Sequence, residues 1–169
     1  MTAAVLEALV REKLPVLESL GARLERAEDG QAVLTAEIGP AFLRPGGVVS
    51  GPALFTLADA ALWIAILSRQ PDQLLAVTIS LNISFLRPVP PGPVRTEATL
   101  LRMGRRVAFG EVRITDAGGA LAAQATGSYA LADGTSGVRP SSPSSLSSSP
   151  SSLSSSPSSP SSPSFPSSP

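Results

Sequence analysis

Asp59 is the residue of this sequence whose type and surroundings point most clearly to chemistry. It is the only ionisable side chain between Arg44 and Arg69, in the stretch PGGVVSGPALFTLADAALWIAILS. On a helix, Phe55 and Trp63 would share its face. A carboxylate among apolar groups loses hydration, and its charged form is disfavoured. The pattern predicts a general base or nucleophile at an interface, or a structural carboxylate bonded to a loop amide or a partner-chain side chain.

The helix that would carry Asp59 begins with a second chemical feature, Ser50-Gly51-Pro52. Ser is favoured as an N-cap and Pro in the first helical turn, and Gly51 lets a ligand approach the backbone closely. The first amides of a helix lack intrahelical acceptors, and the helix dipole is positive there. Such amides can bind a carbonyl oxygen as it gains negative charge. The same three residues are equally compatible with a helix start that is merely well capped.

The composition excludes several other mechanisms. The chain has no His and no Cys, so it lacks a Ser-His-Asp triad, a thiolate nucleophile and the commonest metal ligands. Hydrolytic chemistry must therefore use a carboxylate, a hydroxyl, Lys13 or backbone amides, and we expect neither a metal nor a cofactor. The 13 basic and 13 acidic side chains balance, and no basic stripe with interleaved aromatic residues points to nucleic acid.

Hydrophobic periodicity and turn residues predict the elements that would position Asp59. Helical spacing predicts helices over residues 3–13 and about 50–68, and Asp29-Gly30 predicts a hairpin turn. Alternation predicts strands over 22–28, 31–38, 75–87, 93–102, 105–115 and 120–131. Because consecutive strands without intervening helices favour an antiparallel sheet, the expected fold is α+β, with the sheet wrapped around a central apolar helix.

Composition divides the chain into two segments. Residues 1–139 are expected to form one domain. Residues 140–169 are almost entirely Ser and Pro, a composition that buries too little apolar surface to fold, so we expect a disordered tail. The start, MTAAVLEALVREKL, lacks the basic region and uninterrupted apolar core of a signal peptide. The longest apolar run, residues 53–67, is short for a membrane span, so a cytoplasmic protein is expected.

Three segments in order, GPALFTLADAALWIA, LNISFLRPV and LLRMGRRVAFGEVRI, resemble the PaaI-like (phenylacetate-degradation type) hotdog-fold acyl-CoA thioesterases. The resemblance covers roughly residues 15–132 and implies a hotdog homodimer or homotetramer with acyl-CoA bound between subunits. In that family a carboxylate on the central helix attacks the thioester or activates water, and Asp59 matches it. The family's His-Gly-Gly motif matches Ser50, Gly51 and Pro52, so Gly51 inherits the amide that polarises the thioester carbonyl.

The resemblance also implies a site for the CoA phosphates. Arg102, Arg105 and Arg106 match the region that meets them, and guanidinium groups suit phosphate geometry. A solvated turn would have the same composition, so both interpretations stay open.

Further substrate contacts are implied along the strand 78–85, which matches the edge that pairs with its twin in the family. Asn82 and Ser84 would line the substrate channel or, as alternating strand residues, simply face solvent. Trp63 and Phe55 suggest an apolar or aromatic acyl group. The remaining expected substrate contacts are those beside the thioester, Ser50 and Pro52.

Two alternatives to a thioesterase follow from the same residues. The hotdog hydratases and dehydratases of the known families rely on a His, which this chain lacks. A non-catalytic acyl-CoA-binding module would retain Gly51 and the channel without turnover, and the altered His-Gly-Gly motif keeps this alternative open. A pure binder has little use for a half-buried carboxylate, so Asp59 discriminates between the two.

Overall fold

The predicted strands form one antiparallel sheet that packs on a long central helix. The computed structural model describes residues 3–132, so the expected tail over 140–169 lies outside the described residues. In chain order the elements are α1 (Ala3–Lys13), α2 (Pro15–Ser19), β1 (Ala22–Glu28), β2 (Gln31–Glu37), a 3-10 turn (Pro40–Phe42), β3 (Leu43–Arg44), β4 (Val48–Val49), α3 (Gly51–Arg69), β5 (Val77–Phe85), β6 (Pro93–Met103), β7 (Val107–Thr115) and β8 (Leu121–Ala130). These bounds confirm the predicted helices and strands to within about three residues.

The sheet has six strands in the order β1-β2-β6-β7-β8-β5, with every neighbouring pair antiparallel. The hairpin between β1 and β2 turns at Asp29 and Gly30, whose φ angles of 41° and 83° are the left-handed values that such a tight turn requires. Strand β5 pairs with β8 and with no other strand among the described residues, so it forms one edge of the sheet. The arrangement confirms the predicted α+β fold.

Helix α3 is the core of the domain, as its all-round apolar sequence predicts. Eleven of its residues are buried, including Leu57, Ala58, Ile64 and Ala65. Among the described residues it is also the one helix long and apolar enough to cross a membrane by length and composition. Because 61% of that segment is buried inside the protein, its hydrophobicity is explained by the core that it forms.

Two strand glycines allow α3 to approach the sheet closely. A Cβ atom on Gly110 of β7 or on Gly127 of β8 would lie 2.7 or 2.8 Å from a methyl carbon of Leu62. Those distances are too short for real contacts, so a larger residue at either position would force the side chain of Leu62 to move. Both glycines therefore make room for Leu62 where α3 packs on the sheet.

Strand β5 contains a β-bulge that decides which of its residues face the helix. The register against β8 shifts between Thr78 and Ser80. An extra residue reverses the alternation of side chains beyond it. Thr78 faces α3, and after the bulge Leu81 and Ile83 pack against the core. The intervening Ser80 is on the other face, where its hydroxyl meets that of Ser128.

Candidate active site

The carboxylate of Asp59 is held by hydroxyl groups from two neighbouring strands. Thr78 of β5 donates a hydrogen bond from Oγ1 to Asp59 Oδ1 over 2.9 Å. The phenol of Tyr129 on β8 lies 2.5 Å from the same Oδ1 and 2.7 Å from the backbone carbonyl oxygen of Asp59. Both donors converge on one carboxylate oxygen. In the described part of the chain no group hydrogen-bonds Asp59 Oδ2, which is therefore available to a substrate or to water.

Tyr129 keeps its proton at any ordinary pH. Its side chain is buried within the sheet, with 3% of its surface exposed. Burial raises the pKa of the Tyr129 phenol far above its ordinary value, and the hydrogen bond to Asp59 raises this pKa further, against a smaller lowering effect from Thr78. The phenol is therefore a stable donor to the carboxylate.

A pocket of about 690 Å³ opens beside Asp59. Asp59, Thr78 and Tyr129 form its polar corner, and Lys13 is the other charged side chain that lines it. Most of the remaining wall is apolar and comes from three parts of the chain, namely the α1–α2 junction, α3 and the segment that leads into β5. The other lining residues are Leu14, Val16, Thr56, Ala60, Trp63, Leu74, Leu75 and Ala76.

The segment that forms one wall of this pocket is tied to the end of β8. Gln73 is buried, and its amide both donates to the carbonyl oxygen of Ala132 over 3.3 Å and accepts from the Ala132 N–H over 2.8 Å. This two-way bond fixes the residues next to Gln73, which include the pocket residues Leu74 and Leu75.

The start of α3 presents a free backbone amide. Ser50 is the N-cap, with extended φ and ψ of −71° and 146°, but its side chain makes no capping bond. Its carbonyl oxygen instead accepts from the amides of Ala53 and Leu54. No acceptor within residues 3–132 takes the Gly51 N–H, as the geometry of a helix start predicts. The ring of Phe85, at the end of β5, lies against Gly51, 3.2 Å from where a Cβ would be.

The Gly51 amide and the Asp59 carboxylate lie far apart on α3. Gly51 precedes Asp59 by eight residues on α3. At a rise of 1.5 Å per residue, their backbones are about 12 Å apart along the helix axis. An oxyanion donor and a catalytic carboxylate must both lie about 3 Å from the reacting group. The Gly51 amide and the Asp59 carboxylate of the same chain therefore cannot act on one carbonyl group.

Comparison with known proteins identifies the class of this domain. The family model described as "Thioesterase superfamily" matches residues 46–123. A protein of Saccharolobus solfataricus named "Putative esterase SSO2140" is 32% identical over 124 residues, which are 73% of this chain and 88% of that protein. The chain belongs to the thioesterase superfamily.

Solved structures agree with this membership. The phenylacetic acid degradation protein PaaI of Thermus thermophilus, in a mutant form, matches with a TM-score of 0.64 and 30% identity over 70% of this chain and 99% of that one. The PaaI protein of the Escherichia coli phenylacetic acid degradation operon matches with a TM-score of 0.69 and 25% identity over 76% of this chain and 93% of that one. These similarities confirm the hotdog-type thioesterase fold and the PaaI-like resemblance, and superfamily membership supports a hydrolase.

Within this thioesterase-superfamily domain, the residues predicted beside Asp59 separate into two groups. Trp63 lines the pocket. Phe55 shares the helix face of Asp59 but is 40% exposed and is not part of the pocket wall. Ser50 and Pro52 lie beside Gly51 at the start of α3 and are not part of the pocket wall.

Asn82 and Ser84, expected either to line a channel between subunits or to face solvent, are exposed in the structure of one chain. They pair with Thr126 and Gln124 of β8, on the exposed face of the sheet, whereas Asp59 lies on the opposite, helix-facing side. The bulge in β5 is the reason, because it places Thr78 on the opposite face from these two residues. Asn82 and Ser84 therefore do not line a channel beside the Asp59 of their own chain.

Arg102, Arg105 and Arg106 lie at the hairpin that joins β6 to β7, and all three are exposed. The hairpin is at the same end of the sheet as Tyr129, because Ala108 pairs with Tyr129. In residues 3–132 none of the three arginines forms an ion pair. Their guanidinium groups are thus free to meet an anionic ligand.

Sequence reasoning missed the two residues that hold Asp59. Tyr129 is the only tyrosine of the chain, and it stands in an Ala-rich strand, which is a detectable signal. Aromatic residues are nevertheless common in strands, so the type alone did not suggest a partner for Asp59. Thr78 gave no signal. The described residues contain no cluster of three potential His, Cys, Asp or Glu metal ligands.

Proposed function

We propose that this protein hydrolyses acyl-CoA thioesters, with Asp59 as the nucleophile or general base. The observation that carries the proposal is the position of Asp59, whose carboxylate lies at the polar corner of an otherwise apolar pocket. A carboxylate that served only to satisfy nearby donors would not need a pocket of about 690 Å³ at its side.

A second copy of the chain supplies the Gly51 amide in this proposal. Among residues 3–132, no strand other than β8 pairs with β5, so β5 is an edge strand, and it exposes large apolar side chains such as Val77 and Ile79. If two copies pair along β5 about a two-fold axis, the Phe85 end of one strand meets the Thr78 end of the other. Because Phe85 contacts Gly51 and Thr78 contacts Asp59, this pairing brings the Gly51 of one copy towards the Asp59 of the other.

The reaction follows from these groups. Asp59 Oδ2 either attacks the thioester carbonyl carbon or removes a proton from a water molecule that attacks it. The Gly51 N–H of the partner copy donates a hydrogen bond to the carbonyl oxygen as this oxygen becomes negative. The carbon–sulfur bond then breaks, and CoA leaves as a thiolate. If Asp59 is the nucleophile, the acyl group remains on it as an anhydride, which water hydrolyses to the acid, and a proton from this water goes to the thiolate. If Asp59 is the base, the acid forms directly, and the proton that Asp59 took from water passes to the thiolate. Neither route requires a metal or cofactor.

The apolar wall of the pocket supports an apolar acyl group as the substrate. Leu14, Leu74 and Trp63 present apolar surface on three sides, so an apolar aliphatic or aromatic acyl group fits the pocket. The exposed Arg102, Arg105 and Arg106 suit the phosphates of CoA and lie at the end of the sheet that holds Tyr129.

A panel of acyl-CoA substrates with a thiol-detecting dye tests the proposal. We expect turnover of apolar and aromatic acyl groups by the wild type and a large loss in Asp59→Asn. Ser128→Ala is a matched control, because it removes a hydroxyl on the other face of the sheet. Binding of acyl-CoA without release of CoA would contradict the proposal and establish the non-catalytic binding module instead.

A further inference from the structure

We propose that Tyr129 is a positioning residue that fixes the Asp59 carboxylate so that Oδ2 faces the substrate. The inference rests on the proposed function, because it gives Asp59 its catalytic role. Tyr129 itself is not a catalytic residue here, since its hydroxyl group is directed at Asp59 and reaches the substrate only through it.

The single O–H of Tyr129 is shared between two oxygens of Asp59. The phenol oxygen lies 2.7 Å from the backbone carbonyl oxygen of Asp59 and 2.5 Å from Oδ1. Contact with both the main chain and the end of the side chain restricts rotation of the carboxylate. Thr78 donates to the same Oδ1 over 2.9 Å. With both donors on Oδ1, the other carboxylate oxygen is left for the pocket.

The backbone of Tyr129 is held rigidly by the sheet. Its backbone pairs with Ala108 of β7 on one side and with Thr78 of β5 on the other, so it lies within the sheet and not at an edge. Donors on such strands hold a reactive group more precisely than donors on loops. Because the phenol stays protonated, it remains a donor over the whole range in which a carboxylate could act.

The hydroxyl group of Tyr129 has a specific purpose beyond packing. Phe would fill the same volume in the buried face of β8 without the cost of burying a hydroxyl. Among the described residues, the Tyr129 hydroxyl bonds to Asp59 and contacts the hydroxyl of Thr78, which itself donates to Asp59. A buried hydroxyl that meets only a reactive residue and the other donor to that residue indicates that orienting the reactive residue is its role.

Tyr129→Phe removes this single oxygen atom and tests the proposal. We expect kcat to fall roughly tenfold to a hundredfold, as misplacement of a reacting group does, with little change in KM, because Phe keeps the ring that lines the pocket. We also expect the acidic limb of the kcat/KM profile to move to higher pH, since a carboxylate that loses a donor holds its proton more tightly. Lys13, the other charged group of the pocket, is retained in every variant.

Two comparisons make the test specific. Ser128→Ala on the same strand should leave kcat and the pH profile unchanged. In an Asp59→Asn background, Tyr129→Phe should cause no further loss of kcat, because a residue that acts through Asp59 has nothing left to position. An unchanged kcat and pH profile in Tyr129→Phe would overturn the proposal, even if the melting temperature fell.

A second measurement covers the case in which Tyr129→Phe does not fold. Tyr129 is the only tyrosine, so in protein labelled with carbon-13 at the tyrosine Cζ a single resonance reports on its phenol. We expect this resonance to shift between the wild type and Asp59→Asn, because the phenol then donates to an amide instead of a carboxylate. The same chemical shift in both would overturn the contact. If the wild type hydrolyses no acyl-CoA, the proposed function and the positioning role both fail, and this resonance still decides whether the contact exists.

Discussion

The two ends of the contact between α3 and β5 carry different chemistry. At one end, Asp59 accepts hydrogen bonds from the side chains of Thr78 and Tyr129 beside an apolar pocket. At the other, Gly51 offers a backbone N–H with no acceptor in the described part of the chain, and the ring of Phe85 lies beside this glycine. One end presents a carboxylate held by side-chain hydroxyls, and the other presents a backbone donor at the start of the helix.

The separation of these ends explains why a free edge strand matters for function. About 12 Å of helix lies between them, so neither end can complete the other within one chain. A two-fold pairing of β5 places unlike ends side by side and creates two identical sites at once. Each single substitution below changes one end and leaves the other intact.

The largest effect is expected from Asp59→Asn, which removes the base and keeps an oxygen that can accept from Thr78 and Tyr129. We expect kcat on the best acyl-CoA to fall roughly a hundredfold to ten-thousandfold, with little change in melting temperature. The measurement is steady-state kinetics together with a thermal melt. A folded variant that turns over near the wild-type rate would show that Asp59 is only structural.

At the other end, Gly51→Pro removes the free N–H. The extended conformation of Ser50 is the one that a residue before proline adopts, so the helix start can accept the change. We expect kcat to fall roughly a hundredfold to a thousandfold, as for other lost oxyanion donors. Gly51→Ala is the control, because it adds a methyl group against Phe85 but keeps the N–H. Equal losses in Pro and Ala variants would assign the effect to packing against Phe85.

Tyr129 should also make stability depend on pH in alkaline solution. Its pKa is raised in the folded protein, so only the unfolded chain releases the phenol proton above about pH 10. Ionisation of Tyr129 in the unfolded chain should therefore lower the free energy of unfolding above this pH, by up to about 1.4 kcal/mol per pH unit. Below this pH, Tyr129 should contribute no pH dependence. Denaturant titrations of wild type and Tyr129→Phe should diverge only above pH 10. Parallel curves would contradict the buried contact.

The smallest effect is expected from excess chelator. Neither end of the α3–β5 contact offers a His or Cys ligand, since the chain has none. Turnover should persist when divalent ions are removed. Loss of turnover that a divalent ion restores would require a different mechanism at the Asp59 end.

The sequence revealed the site where a residue conflicted with its surroundings. A lone carboxylate in an apolar helix, as at Asp59, is costly unless it has a function or partners, so it stands out. Alternation and the turn at Asp29-Gly30 likewise predicted the strands. Asp59 follows Gly51 by eight positions, which on a helix already implies their separation.

The other features of the candidate site could not be predicted from the neighbouring sequence. The bulge between Thr78 and Ser80 reverses the faces of β5, and nothing in the strand sequence marks it. That reversal is why Thr78 reaches Asp59 while Asn82 and Ser84 do not. The bond between Tyr129 and Asp59 joins residues 70 positions apart, and only the packing of β8 on α3 brings them together.

Co-expression of two inactive chains tests the shared site most directly. One chain carries Asp59→Asn and the other carries Gly51→Pro. In a mixed dimer, the intact Asp59 of the second chain meets the intact Gly51 of the first, and the opposite site has both changes. Random pairing should therefore restore about a quarter of the wild-type acyl-CoA hydrolysis. If the mixed dimers form but remain as inactive as either parent, Asp59 and Gly51 do not act together across two chains, and the proposed mechanism is wrong.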